Sequence, residues 1–105
     1  MTERRSSARS PVDILVNKYI DGYPYACRAQ DISSGGMLIH RPHEPLHTMK
    51  SYAIEIGVPG QDERIWVWAR VAWTRGRAQA LRFMGMGDTD RVMLDQLIDE
   101  AARAA

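Results

Sequence analysis

The stretch Asp31-Ile32-Ser33-Ser34-Gly35-Gly36 decides the fold, because it sets a carboxylate, two hydroxyls and two adjacent glycines between segments that otherwise read as strands. An aspartate followed two residues later by serine can hydrogen-bond its own backbone in an Asx-type turn, and paired glycines permit a close approach that a Cβ blocks. Residues 23–30 before it have strand-like aromatic content and residues 37–40 after it form a short third strand, so the stretch joins two strands. The same residue types suit a binding site. A hairpin turn alone explains them, so a functional reading needs a complementary group elsewhere in the chain.

Toward the N-terminus, Val12, Ile14, Val16 and Lys18 alternate with Asp13, Leu15, Asn17 and Tyr19, which is the period of a strand with one apolar face. Asp21-Gly22 is a tight-turn signal that pairs this strand with the next, and Pro24 suggests an edge position or a strand start. Residues 2–11 carry Arg4, Arg5 and Arg9 among small and hydroxyl residues and end at Pro11. That composition predicts a flexible arm over residues 1–11. Arg5 and Arg9 are separated by small residues only, so an arm curling round an anion brings both guanidinium groups to it. Without an anion the arm is a solvated tail.

Toward the C-terminus, residues 41–50 hold prolines, His43 and His47 without a sustained period and read as a loop. Together with His40 they raise the question of zinc, but Glu44 is the only carboxylate among them and no helix aligns the imidazoles. They are read as solvated loop histidines, and no metal is expected. Tyr52, Ile54, Ile56 and Val58 alternate in a fourth strand that ends at Pro59-Gly60. A long fifth strand over residues 64–74 places Ile65, Val67, Ala69, Val71 and Trp73 on one face and Trp66, Trp68, Arg70 and Ala72 on the other. Core packing is the expectation for its tryptophans, although an outward tryptophan beside an arginine can stack on a planar ligand.

Arg75-Gly76-Arg77 forms a further turn into a sixth strand over residues 78–84. The period then lengthens. Asp88 reads as an N-cap with Asp90 in the first turn, and Val92, Leu94, Leu97, Ile98 and Ala101 make the apolar stripe of an amphipathic helix over residues 88–103.

At 105 residues the chain is one domain with one core. Fourteen Lys+Arg against 13 Asp+Glu give a formal charge of +1, so bulk electrostatics favour neither general nucleic-acid binding nor membrane attraction. Lys18 and Lys50 are the only lysines, and the arginine bias favours planar, bidentate recognition of phosphate or base edges. The single Cys27 excludes an intrachain disulfide and fits a reducing compartment. With no secretory signal and no apolar run approaching the ~20 residues that span a bilayer, a cytoplasmic protein without membrane insertion is expected. No nucleophile motif surrounds Cys27 and no carboxylate pair is placed for acid–base work, so neither an enzyme nor a cofactor is expected.

Six strands, a C-terminal helix, an arginine-bearing arm and an Asp-x-Ser turn between the second and third strands together resemble the PilZ domain family. That family is marked by Arg-x-x-x-Arg near its N-terminus and Asp/Asn-x-Ser-x-x-Gly further on, matched here by Arg5-Ser6-Ser7-Ala8-Arg9 and by Asp31-Ile32-Ser33-Ser34-Gly35-Gly36. Ala69-Arg70-Val71-Ala72-Trp73 is similar to the family's long strand ending in Val-x-Trp, and Ala80-Leu81-Arg82-Phe83 to its following strand, with Ala80 where the family often has glycine. The resemblance implies a mainly β fold, a six-stranded antiparallel β-barrel with a C-terminal α-helix over residues 12–105, and binding of the bacterial second messenger cyclic di-GMP.

By the same resemblance the ligand-binding residues are Arg5, Arg9, Asp31, Ser33, Gly35 and Gly36, with Arg4 and Trp73 as further candidates. The chemistry suits them. Arginine forks onto phosphate oxygens or onto guanine O6 and N7. A carboxylate fits the N–H groups of guanine's Watson–Crick edge, so Asp31 is assigned to the base. Ser33 is assigned as a donor and the glycines to close backbone approach, while an arginine at the place of Arg4 accompanies a stacked ligand dimer in this family. The expected output is ordering of the arm by the nucleotide, relayed to an unidentified protein partner, and a homodimer stays open. The competing expectation is a PilZ-like interaction module that binds no nucleotide and uses the aromatic strand or the helix.

Overall fold

The computed structural model of the protein describes residues 9–104. Among these described residues six strands, β1 (Ser10–Ile20), β2 (Tyr23–Ser33), β3 (Gly36–His40), β4 (Ser51–Gly57), β5 (Arg64–Arg75) and β6 (Ala78–Gly85), precede one helix, α1 (Asp88–Ala104). The strands pair antiparallel in the order β1-β2-β3-β6-β5-β4, and β4 returns to β1 to close a barrel. The fold class is the one expected from the sequence. At the β1–β2 turn Asp21 and Gly22 have φ of 52° and 85°, the primed-turn geometry whose twist matches the flanking strands. β1 begins at Ser10, so Ser10 and Pro11, expected in the arm, already pair with Ile32 and Asp31. Arg4 and Arg5 lie outside the described residues, as do residues 1–8 of the arm expected over residues 1–11.

Alternation turns Ile14, Val16, Ile39, Ile54, Ile56 and Ile65 into the barrel, where each buried branched side chain is worth about 1.5–3 kcal/mol of transfer free energy. α1 covers one end with Leu94 and Leu97, which join the same core. Met93 packs there in place of the expected Val92, which is exposed, because Val92 lies roughly 200° round the helix from Leu94. The helix starts at Asp88 as expected, but its cap is Gly87 and not Asp88: the Arg91 N–H donates to the Gly87 carbonyl at 2.9 Å, which puts Asp88 inside the first turn. Asp90 accepts the Trp66 N–H at 3.0 Å and ties the start of the helix to β5.

The other end of the barrel is closed by residues 41–50, where His43 is exposed as expected but the reading of His47 as solvated needs correction. Lys18 is 0% exposed: its Nζ donates to Glu44 at 3.0 Å and to the Gln79 side-chain oxygen at 2.7 Å, and lies 4.1 Å from the Tyr52 ring centroid. Glu44 also accepts from Arg41 at 3.1 Å and pairs with His47 Nε2 at 3.0 Å, while the largely buried His47 ring sits edge-on to Tyr52. Burial lowers the Lys18 pKa against the pull of Glu44. Burial pushes the Glu44 carboxyl up, but hydrogen bonds from Lys18 and His47 and the charges of Lys18 and Arg41 outweigh it, leaving it below the usual carboxylate value.

Candidate functional site

In an uninterrupted strand Asp31 shares the face of Ala29, whose side chain is in the core. It does not, because an irregularity in the β2–β3 ladder matches Ala29 to Ile39 and Asp31 to Leu38, leaving Gln30 as an extra residue in β2. Ala29 and Ile32 both stay inward, and Asp31 is turned onto the outer wall. A second extra residue, Ala72, does the same for β5, where Val71 pairs with Leu81 and Trp73 with Ala80. Trp73 therefore leaves the core face on which the sequence period places it and is 44% exposed. The expectation of core packing fails at this residue because a period of two says nothing about where a residue is inserted.

These two bulges align one row across the outer wall: Asp31 opposite Leu38, Leu38 opposite Ala80, and Ala80 opposite Trp73. Three inter-strand steps separate its ends, roughly 14 Å at about 4.8 Å each. Arg75 places its guanidinium carbon 5.2 Å from the Trp73 ring centroid. At the opposite end, Arg9 NH1 donates to Asp31 Oδ1 at 2.6 Å. The second arginine of the first motif and the aspartate of the second are thus in direct contact, both still open to solvent. Leu38 carried no signal in the sequence, and its place in the row follows only from the register.

The turn is built differently from the Asx expectation. Asp31 lies within β2, and it is Ser33 whose Oγ accepts the Gly35 N–H at 3.3 Å and donates to the Gly36 carbonyl at 3.4 Å. Ser33 is buried and shapes the turn. The two glycines divide the work. A Cβ on Gly36 falls 2.1 Å from the Leu81 carbonyl oxygen, so glycine is required for β3 to lie against β6, whereas a Cβ on Gly35 meets nothing within 4 Å. Arg91 donates to the Ser34 carbonyl at 3.2 Å and fastens the turn to α1, a contact across 57 positions that no local pattern announces.

Other candidates are occupied by structure. Cys27 is buried and burial pushes its thiol up to about 11, which removes the thiolate a nucleophile needs. Among the described residues no cluster of three His, Cys, Asp or Glu side chains is placed to hold a metal ion. A cavity of about 500 Å³ opens beside the residue 41–50 cap and not along the Asp31–Trp73 row, which is a wall and not a pocket. No helix among the described residues is long and apolar enough to cross a membrane.

A small closed barrel, sealed by a helix at one end and a loop at the other and carrying its polar motif on the outer wall, defines the class of domain. The chain matches the PilZ domain family over residues 3–100 and belongs to that family. Sequence comparison with curated proteins finds no match. Among solved structures, the PilZ domain with c-di-GMP of YcgR from Escherichia coli superposes with a TM-score of 0.71 at 21% identity, covering 96% of this chain and 93% of that one. The PilZ domain of CeSA from a cellulose-synthesizing bacterium gives 0.69 at 18% identity, covering 90% and 97%. The Bacillus subtilis inhibitor of motility (MotI/DgrA) gives 0.73 at 17% identity, covering 96% of this chain but 51% of that one, so the chain spans about half its length.

Proposed function

We propose that this domain is a cytoplasmic receptor for cyclic di-GMP that binds the nucleotide across the Asp31–Trp73 row and relays binding to a protein partner through its N-terminal arm. The observation that carries this is the 2.6 Å contact of Arg9 with Asp31, each a motif residue, on a wall that also presents Trp73. An exposed ion pair of this kind is worth only about 0–1 kcal/mol, so a ligand able to satisfy both partners separates them at little cost. Guanine offers N–H groups to Asp31, and the phosphodiester, or guanine O6 and N7, accepts from Arg9. Trp73 provides a face for the second base, and Arg5, with Arg4 beside it, supplies further positive charge. Gly35 leaves open space for the sugar–phosphate to approach, and Ser33 and Gly36 hold the turn that presents Asp31.

Drawing Arg5 and Arg9 onto the nucleotide orders the arm, and the ordered arm is the signal. Calorimetric titration with cyclic di-GMP tests the reading: wild type binds, and Arg9→Ala loses about tenfold or more in affinity. Arm amides whose hydrogen exchange is unmoved by saturating nucleotide overturn the relay. A second reading, an interaction module without nucleotide, is favoured by Trp66 and Trp68, which are 43% and 50% exposed on β5. A wild-type protein that takes up no cyclic di-GMP decides for it.

A further inference from the structure

We propose that Arg70 and Arg82 form a second anion subsite beside the Asp31–Trp73 row, taking a phosphodiester of the cyclic dinucleotide; this rests on the receptor reading above. Arg82 of β6 and Arg70 of β5 are directly opposed in the ladder, both exposed on the outer wall. Like charges in that position repel and weaken a sheet unless something negative sits between them. Arg9, Arg28, Arg41 and Arg91 each have a carboxylate partner, whereas among the described residues neither Arg70 nor Arg82 has one.

The pair borders a cavity of about 290 Å³, shared with Val71, Ala72 and Met84, between two irregularities of the β5–β6 ladder. Its position fits the proposed ligand. The row Gly36, Arg82, Arg70 runs next to the row Leu38, Ala80, Trp73, and Arg82 is two residues along β6 from Ala80, about 7 Å away on the same face. Cyclic di-GMP carries two phosphodiesters on opposite sides of its ring. One turned toward Arg9 leaves the other facing the far side of the row, where two planar guanidinium groups can fork onto its free oxygens. The phosphodiester comes either from the molecule that contacts Asp31 or from a second copy stacked upon it.

Calorimetric titration of wild type, Arg82→Ala and Arg82→Lys with cyclic di-GMP, alongside thermal melting, tests this. The expected result is an affinity about tenfold lower in R82A, with R82K intermediate because it keeps the charge and loses the fork. The melting temperature of R82A should be unchanged or higher, since a like-charge pair has been relieved, and a purely structural role cannot separate the two readouts in this way. Unchanged stoichiometry with lower affinity assigns the phosphodiester to the first molecule, and a drop from two bound nucleotides to one assigns it to the second. If R82A fails to fold, Arg70→Ala gives the same test from across the ladder. Wild-type affinity and stoichiometry in whichever variant folds overturn the subsite and leave the receptor reading intact. A wild-type protein that binds nothing overturns both.

Discussion

Arg9–Asp31 and Lys18–Glu44 are ion pairs of similar length, 2.6 and 3.0 Å, in opposite settings. The first stands on the outer wall with side-chain exposures of 46% and 24%, and each partner has one ionic contact. The second is sealed at the loop-capped end with exposures of 0% and 13%, and Glu44 is shared among Lys18, Arg41 and His47. In water an ion pair exchanges partners readily, because solvent stabilises the separated charges almost as well. In the sealed end separation strands a charge away from water. The weaker contact is therefore the one a ligand can open, as the proposed binding mode requires, and the stronger one holds the barrel shut.

The largest effect should come from breaking the sealed pair unevenly. Glu44→Ala leaves Lys18 buried without its carboxylate and should cost about 3–5 kcal/mol in denaturant unfolding. Lys18→Met leaves Glu44 its contacts with Arg41 and His47 and should fall within about 1 kcal/mol of wild type or above it. Equal losses in the two variants contradict this account. The pH dependence follows the same logic. The Glu44 carboxyl is held low in the fold, so its contribution is present above the unfolded value near 4.3 and is lost as pH falls through the folded value. For Lys18, a pKa lowered by burial makes the protein gain stability as pH rises from the folded value toward about 10.4.

A smaller effect separates the two glycines of the turn. Gly36→Ala forces a methyl against the Leu81 carbonyl and should cost about 1–3 kcal/mol through displacement of β3 from β6. Gly35→Ala has open space and a backbone that accepts a side chain, so its stability should stay within about 0.5 kcal/mol while nucleotide affinity falls. An unaltered affinity in G35A removes Gly35 from the proposed site.

The strands were legible because Ile14, Val16, Ile54 and Ile56 alternate with side chains that point outward, and alternation is a local signal. The two motifs were legible as residue types and in their order. Their meeting was not, since Arg9 and Asp31 come together only through the pairing of Pro11 with Asp31. The bulges at Gln30 and Ala72 leave no trace in composition, so a period that holds as far as Val71 puts Trp73 on the wrong face. Lys18 fell on the apolar face of β1 in the sequence, yet its burial depends on Glu44 and Gln79, 26 and 61 positions away. The burial of His47 is illegible for the same reason: a loop that folds back over a barrel end has the sequence pattern of any other loop.

The smallest effect is the one that bears most directly on exchange at the exposed pair. Arg9→Ala removes a single contact from a side chain nearly half exposed, and its unfolding free energy should fall by no more than about 1 kcal/mol. Asp31→Asn should behave alike, since the turn is held by Ser33 and not by Asp31. Both variants should nevertheless bind cyclic di-GMP more weakly: Arg9→Ala about tenfold or more, for want of the cation for phosphate, and Asp31→Asn by less, because its amide keeps one acceptor oxygen but turns an N–H2 donor toward guanine's second N–H. Denaturant unfolding and calorimetry on the same preparations separate the two quantities. A loss of several kcal/mol in unfolding makes Arg9–Asp31 a structural clasp like Lys18–Glu44, and a ligand that must first open such a clasp has to offset that loss before it binds at all.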